Sequence, residues 1–196
     1  MDACVGGFAL PWLRKAGEPG IPDFDFRLPG VSTISADIHK YGFAARGTSL
    51  VLYRDRALQQ HAVFRLGTWT GGPYVTPTLA GSRPGGAVAA AWAVTQYLGE
   101  EGYTRLHVGL RRTTERYMAG VRACGFRVLG EPPMSLFACG ADDPALDVNA
   151  VADDLLGRGW VVMRQPTDPP SLHLLITPRH DAVCDAFLED LAGVAH

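Results

Sequence analysis

The chain has 196 residues and a formal charge of −2, with 47% hydrophobic and 19% charged residues. That balance excludes a mainly disordered chain, and the near-neutral charge gives no electrostatic basis for binding nucleic acid or an anionic membrane. The longest apolar helical stretch, residues 87–94, falls far short of the ~20 residues that cross a bilayer.

Residues 9–30 are dense in proline and glycine and read as a loop with at most a short helix near Leu13. Residues 31–35 are rich in β-branched side chains and predict a strand. A second strand is predicted over 48–53, TSLVLY, with Lys40 in the turn between the two. Residues 67–86 read as loop. An alanine-rich helix is predicted over 87–99 and another over 105–124, with Leu106, Leu110, Tyr117 and Val121 near one face and Gly125 ending it. His107 is expected to face away from that stripe, and Arg111, Arg112 and Arg116 to form a solvated basic face. Short strands follow at 126–129 and 135–139. Asp143 is expected to cap a helix that opens with Pro144. Its stripe is Val148, Val151, Ala152 and Leu155, and Gly157 ends it. Strands are predicted at 160–163 and 172–176. Thr177-Pro178 then opens a last helix, with Val183, Ala186, Phe187 and Leu191 inward. There is no internal repeat.

Cys4, Cys124, Cys139 and Cys184 make no CxxC pair, and His180 and Cys184 have no second ligand pair beside them, so no metal site is expected. The other histidines outside the lysine turn (His61, His107, His173 and His196) complete no ligand set either. Free thiols in a reducing cytosol are expected. No basic-then-apolar leader pattern opens the chain, which agrees with a cytoplasmic location.

Lys15 and Lys40 are the two lysines; arginine carries the other basic charge. Lys40 sits in residues 35–47, SADIHKYGFAARG, behind His39 and ahead of a glycine. An amine that can lose its proton can form an imine with an aldehyde, which a guanidinium cannot. An isolated lysine is more often a surface or ion-paired residue, so the surrounding string has to carry the argument.

That string resembles the lysine motif of the sphingosine-1-phosphate lyase family, within the group II decarboxylase-like, fold-type I pyridoxal phosphate enzymes. Two further stretches agree in order and spacing. Residues 2–8, DACVGGF, resemble the end of the strand carrying the family's pyridinium-binding aspartate. Residues 71–86, GGPYVTPTLAGSRPGG, resemble the loop before a long helix, and 99–104, GEEGYT, continues the match. The resemblance implies an α/β fold: residues 1–104 as part of the cofactor-binding large domain, and 105–196 as a small α+β domain. It implies pyridoxal 5′-phosphate as cofactor, with Lys40 as its lysine, Asp2 at the pyridine nitrogen, and His39 and Ser82 at the phosphate, Ser82 from a neighbouring subunit. A homodimer is therefore expected of the intact family. The implied reaction is retro-aldol cleavage of a phosphorylated sphingoid base to a fatty aldehyde and phosphoethanolamine.

Family members carry a large segment before the aspartate strand, so the chain is expected to be the C-terminal part of such a lyase. Asp2, one step from the chain's start, is expected to be poorly anchored. Arg46 stands where the family usually has a lysine that assists proton transfer; an arginine keeps the charge but is a poor proton carrier. Ile38 stands where a threonine is common, and Thr33 where a serine is common. The rival readings are a pyridoxal-dependent carboxy-lyase acting on an amino acid and a non-catalytic remnant. The GSRPGG loop and the YGFA string favour the lyase.

Overall fold

The computed structural model describes residues 1–166 and 168–195. They form two compact units, Met1–Tyr103 and Thr104–His196.

In the first unit, helix α1 (Leu10–Lys15) follows a short 3-10 turn, and strands β1 (Thr33–Ala36) and β2 (Leu50–Tyr53) pair antiparallel. Strand β1 alternates, turning Ile34 and Ala36 into the core. Ala3, Val31 and Ile34 cluster there with Phe24 and Phe26. The Pro/Gly-rich segment between α1 and β1 is irregular but pinned by two arginines. Arg14 donates to Pro22 O, Asp23 and Asp25, and Arg54 donates to Phe26 O, Leu28 O and Val31 O. These bonds satisfy carbonyls that no strand or helix would otherwise pair.

Helix α2 (Arg56–Gln60) is capped by Asp55, which accepts from Leu58 N. Strands β3 (Phe64–Leu66) and β4 (Tyr74–Thr76) form a second antiparallel pair. All of β4 lies inside the stretch expected to be loop, because three residues are too few to show an alternation.

Helix α3 (Gly85–Ala123) joins what the sequence divides into two helices. Gly99 interrupts it, with φ +54° and ψ −168°. That backbone conformation is open essentially to glycine alone, so the chain bends there and helical geometry resumes.

The second unit is built on a four-stranded antiparallel sheet of strands β5 (Phe126–Val128), β6 (Leu136–Ala141), β7 (Met163–Gln165) and β8 (Ser171–Leu175), in the order β5-β6-β8-β7. Helices α4 (Val148–Gly157) and α5 (Cys184–Val194) bury the stripes Val148, Val151, Ala152, Leu155 and Cys184, Phe187, Leu191. Helix α4 starts later than expected. Its cap is Asp147, accepting from Asn149 N, whereas Asp143 closes a turn onto Ala145 N. Pairing with β8 begins only at Met163, against His173, so Trp160–Val162 is not strand. A cavity of about 280 Å3 lies there, walled by Tyr117, Trp160, His173 and Phe187.

Thr177 and His180 form a reciprocal cap on the 3-10 turn Pro178–Val183 that leads into α5. His107 is buried rather than turned outward. The arginine face is engaged rather than simply solvated: Arg111 bonds Glu115 and Pro133 O, and Arg116 bonds Asp181 and Asp185.

Candidate active site

Lys40 is held by a turn that several independent contacts define. Three backbone bonds close it: Lys40 N to Asp37 O, Phe43 N to Lys40 O, and Ala44 N to Ile38 O, each 3.1 Å. Gly42 packs directly on the turn; a Cβ there would meet Ile38 O at 2.5 Å, so no larger residue fits. Phe43 follows in a left-handed conformation, φ +59°. The buried Tyr103 hydroxyl donates to Gly42 O at 2.8 Å, and its ring stacks on Trp12 at 5.2 Å. Ile38, Ala44 and Ala91 form a small core with Phe8, which seats the turn on the first half of α3.

The chain's first residues run parallel to β1. Ser35 N donates to Met1 O, Ala3 N to Ser35 O, and Asp37 N to Cys4 O, while the Met1 ammonium donates to Thr33 O at 2.7 Å. Asp2 is therefore anchored, contrary to the expectation for a residue beside the start of the chain. Non-local strand pairing, invisible in the sequence, holds it.

This pairing brings Asp2, Cys4, Asp37, His39 and Lys40 together. The Lys40 ammonium donates to Asp37 Oδ2 at 2.9 Å and to Cys4 Sγ at 3.1 Å. The Asp37 carboxylate, and after it the Cys4 contact, raises the Lys40 pKa above its ordinary value. The Asp37 carboxyl is held below the usual range by hydrogen bonds from Ser49 and Lys40. Asp2 accepts from Cys4 N at 2.9 Å and Ser35 Oγ at 3.2 Å. These bonds, the backbone one foremost, keep it ionised to lower pH than a free carboxyl. His39 Nδ1 donates to Thr48 O at 3.0 Å, with Nε2 4.0 Å from Asp37 Oδ2.

Arg46 and Ser82 are both exposed and make no contact with this cluster among the described residues. Arg46 precedes Gly47, whose position abuts Ala87 in the first turn of α3, and Ser82 lies in the loop leading into that helix. Asp37, Ser49 and Cys4 are site residues that reading the sequence did not single out. Asp37 left a usable signal, a carboxylate three residues before a lysine in a turn. Cys4 left none, because its approach depends on the pairing with β1. Among the described residues no group of three or more metal-ligating side chains occurs, and no helix is long and apolar enough to cross a membrane.

The donor set suits an aldehyde cofactor with a pyridine ring: an amine at the surface of a rigid turn, and an ionised carboxylate beside it. The fold agrees. The chain superposes on a glutamate decarboxylase from Lactobacillus brevis with a TM-score of 0.79 at 22% identity, covering 100% of this chain and 46% of that one. The fold is that of the fold-type I pyridoxal phosphate-dependent enzymes.

No family model matches the sequence. It is nonetheless 45% identical over 192 residues to the sphingosine-1-phosphate lyase of Arabidopsis thaliana, covering 97% of this chain and 35% of that protein. The sphingosine-1-phosphate lyase of Burkholderia pseudomallei superposes with a TM-score of 0.92 at 41% identity, covering 98% of this chain and 44% of that one. The chain belongs to the sphingosine-1-phosphate lyase family and corresponds to its C-terminal part, spanning about a third of the length of the curated relatives it matches.

Proposed function

We propose that this chain supplies the lysine side of the active site of a pyridoxal phosphate-dependent carbon–carbon lyase. Its substrate would be a phosphorylated long-chain base, cleaved to a fatty aldehyde and phosphoethanolamine. The observation that carries this is the convergence of Lys40 with Asp2 on a turn that β1, Gly42 and Tyr103 immobilise. Pyridoxal phosphate, when bound, takes up the electron pair of the broken bond.

The chain's own residues do the rest. Lys40 offers its amine at the surface, and Asp37 takes the hydrogen bond of its ammonium and sets how readily the proton leaves. Asp2, held as a carboxylate, would pair with the cofactor's pyridine nitrogen and favour its protonated form. His39, its Nδ1 committed to Thr48 O, would have Nε2 free for the phosphate, and Ser82 would donate to the phosphate of a neighbouring subunit in a homodimer. Arg46 serves the substrate as a fixed cation rather than as a proton carrier. Residues 1–104 belong to the cofactor-binding domain and 105–196 to the small domain, and the protein works in the cytoplasm.

The test is borohydride reduction of the chain with pyridoxal phosphate, followed by peptide mapping. A pyridoxyl group on Lys40 is expected, and labelling confined to Lys15 would overturn the assignment. The substrate is tested separately, by offering phosphorylated long-chain bases and amino acids to a full-length relative carrying this lysine turn. Release of carbon dioxide from an amino acid without aldehyde from the bases would favour the carboxy-lyase.

A further inference from the structure

Three of the four thiols are shielded by burial, which raises the pKa of Cys124 and Cys184 and pushes Cys139 up to about 12. A thiol held protonated is a poor nucleophile and is slow to oxidise. Cys4, partly buried as Cys124 is, differs from the other three in its neighbour: its sulfur accepts the hydrogen bond of the Lys40 ammonium at 3.1 Å. Both partners are tied to Asp37, Cys4 through the bond from Asp37 N to its carbonyl and Lys40 through the bond from its own N to Asp37 O. The sulfur and the nitrogen are thus held in contact by backbone pairing.

We propose that Cys4 and Lys40 are an oxidisable pair, which a peroxide joins into a reversible sulfur–nitrogen crosslink that masks the Lys40 amine. The oxidant is hydrogen peroxide. In the first step the thiol sulfur loses two electrons, the O–O bond breaks, and a sulfenic acid and one water form. Lys40 then gives a proton to solvent, and its nitrogen lone pair attacks the sulfur. The S–O bond breaks, and the hydroxide leaves with a proton from the nitrogen as a second water. In sum, thiol, ammonium and peroxide give the sulfenamide, two waters and one proton. A thiol reductant reopens the bond and restores the cysteine and the amine. Asp37 governs the second step, because its carboxylate holds the proton that must leave first.

The inference stands on the Cys4–Lys40 geometry and does not require the cofactor reading. The full chain is treated with peroxide and digested with trypsin without reductant. Cleavage after Lys40 should fail. The Met1–Arg14 peptide should then be recovered joined to residues 28–46, two hydrogens lighter than the pair. Dithiothreitol should separate them, and the joined species should be absent from Cys4→Ser and from Lys40→Arg, each checked for folding by circular dichroism. Recovery of Cys4 as a sulfinic or sulfonic acid, or in a disulfide, with normal cleavage after Lys40, would overturn the proposal. A parallel sample incubated first with pyridoxal phosphate tests the other reading alone. If the crosslink forms equally there, the crosslink proposal stands and the assignment of Lys40 to the cofactor is weakened.

Discussion

Lys40 and Asp37 oppose each other in their dependence on pH. The Asp37 carboxyl lies below its ordinary 3.8 in the fold, so its stabilising effect is complete above that value and fades as pH falls through the folded one. Lys40 lies above its ordinary 10.5, so its contribution is complete below that value and is lost as pH rises through the folded one. Asp37→Asn is expected to remove part of the loss of stability between pH 5 and pH 2, read from urea midpoints at each pH. The same change should move the pH profile of Lys40 reductive alkylation to lower pH. Lys15, paired with Glu100 at 2.5 Å, should be unaffected and serves as the internal control. A Lys40 profile that stays in place would sink the role given to Asp37. At this scale, much of the site was legible. His39 and Lys40 are adjacent, and Asp2 stands in a short motif. Cys4 and Ser49 were not legible, since a contact across |i−j| of 36 between Cys4 and Lys40 leaves no local pattern.

The lysine turn is an element whose rigidity has separable parts. Tyr103→Phe removes the hydrogen bond to Gly42 O and should cost about 1 kcal/mol, measured by denaturant unfolding. Gly42→Ala should cost about 1–3 kcal/mol, because its Cβ would meet backbone, which cannot swing aside as a side chain would. If Gly42→Ala proves neutral, the turn is looser than these contacts require. Gly99→Ala should also cost about 1–3 kcal/mol, since alanine is strained at that φ and ψ. Strands and helices with long stripes were legible; their ends were not. Asp143 and Asp147 are both good caps, and a proline after the first favours it in sequence. The helix starts at the second because Val148 is the first residue of the buried stripe. Gly99 was legible as a helix end but not as a bend, because both outcomes ask for a glycine with positive φ.

The two units differ in how completely they cover their apolar surface. The second places α4 and α5 over a four-stranded sheet. The first has two sheets of two strands, with Val51, Leu52, Phe64, Trp69, Tyr74 and Val75 exposed on or beside them and Trp92 and Tyr97 exposed on α3. Short sheets with open apolar faces and edges associate. Sedimentation should therefore reveal species larger than a monomer that grow with concentration, and Val51→Lys with Trp92→Glu should reduce them. A strictly monomeric chain across the micromolar range would contradict this. Limited proteolysis with a protease of broad specificity should spare a fragment beginning between residues 81 and 103 and running to the end. Loss of the second unit first would reverse the ranking.

The Trp12–Tyr103 stack has an optical consequence. The rings lie 5.2 Å apart and 4° from parallel, and the tyrosine hydroxyl bonds the lysine turn itself. Two aromatic chromophores locked in one chiral arrangement give a near-ultraviolet dichroic band that vanishes when packing loosens. Trp12 is thus a built-in spectroscopic gauge of whether Lys40 is correctly presented, readable without substrate, cofactor or label.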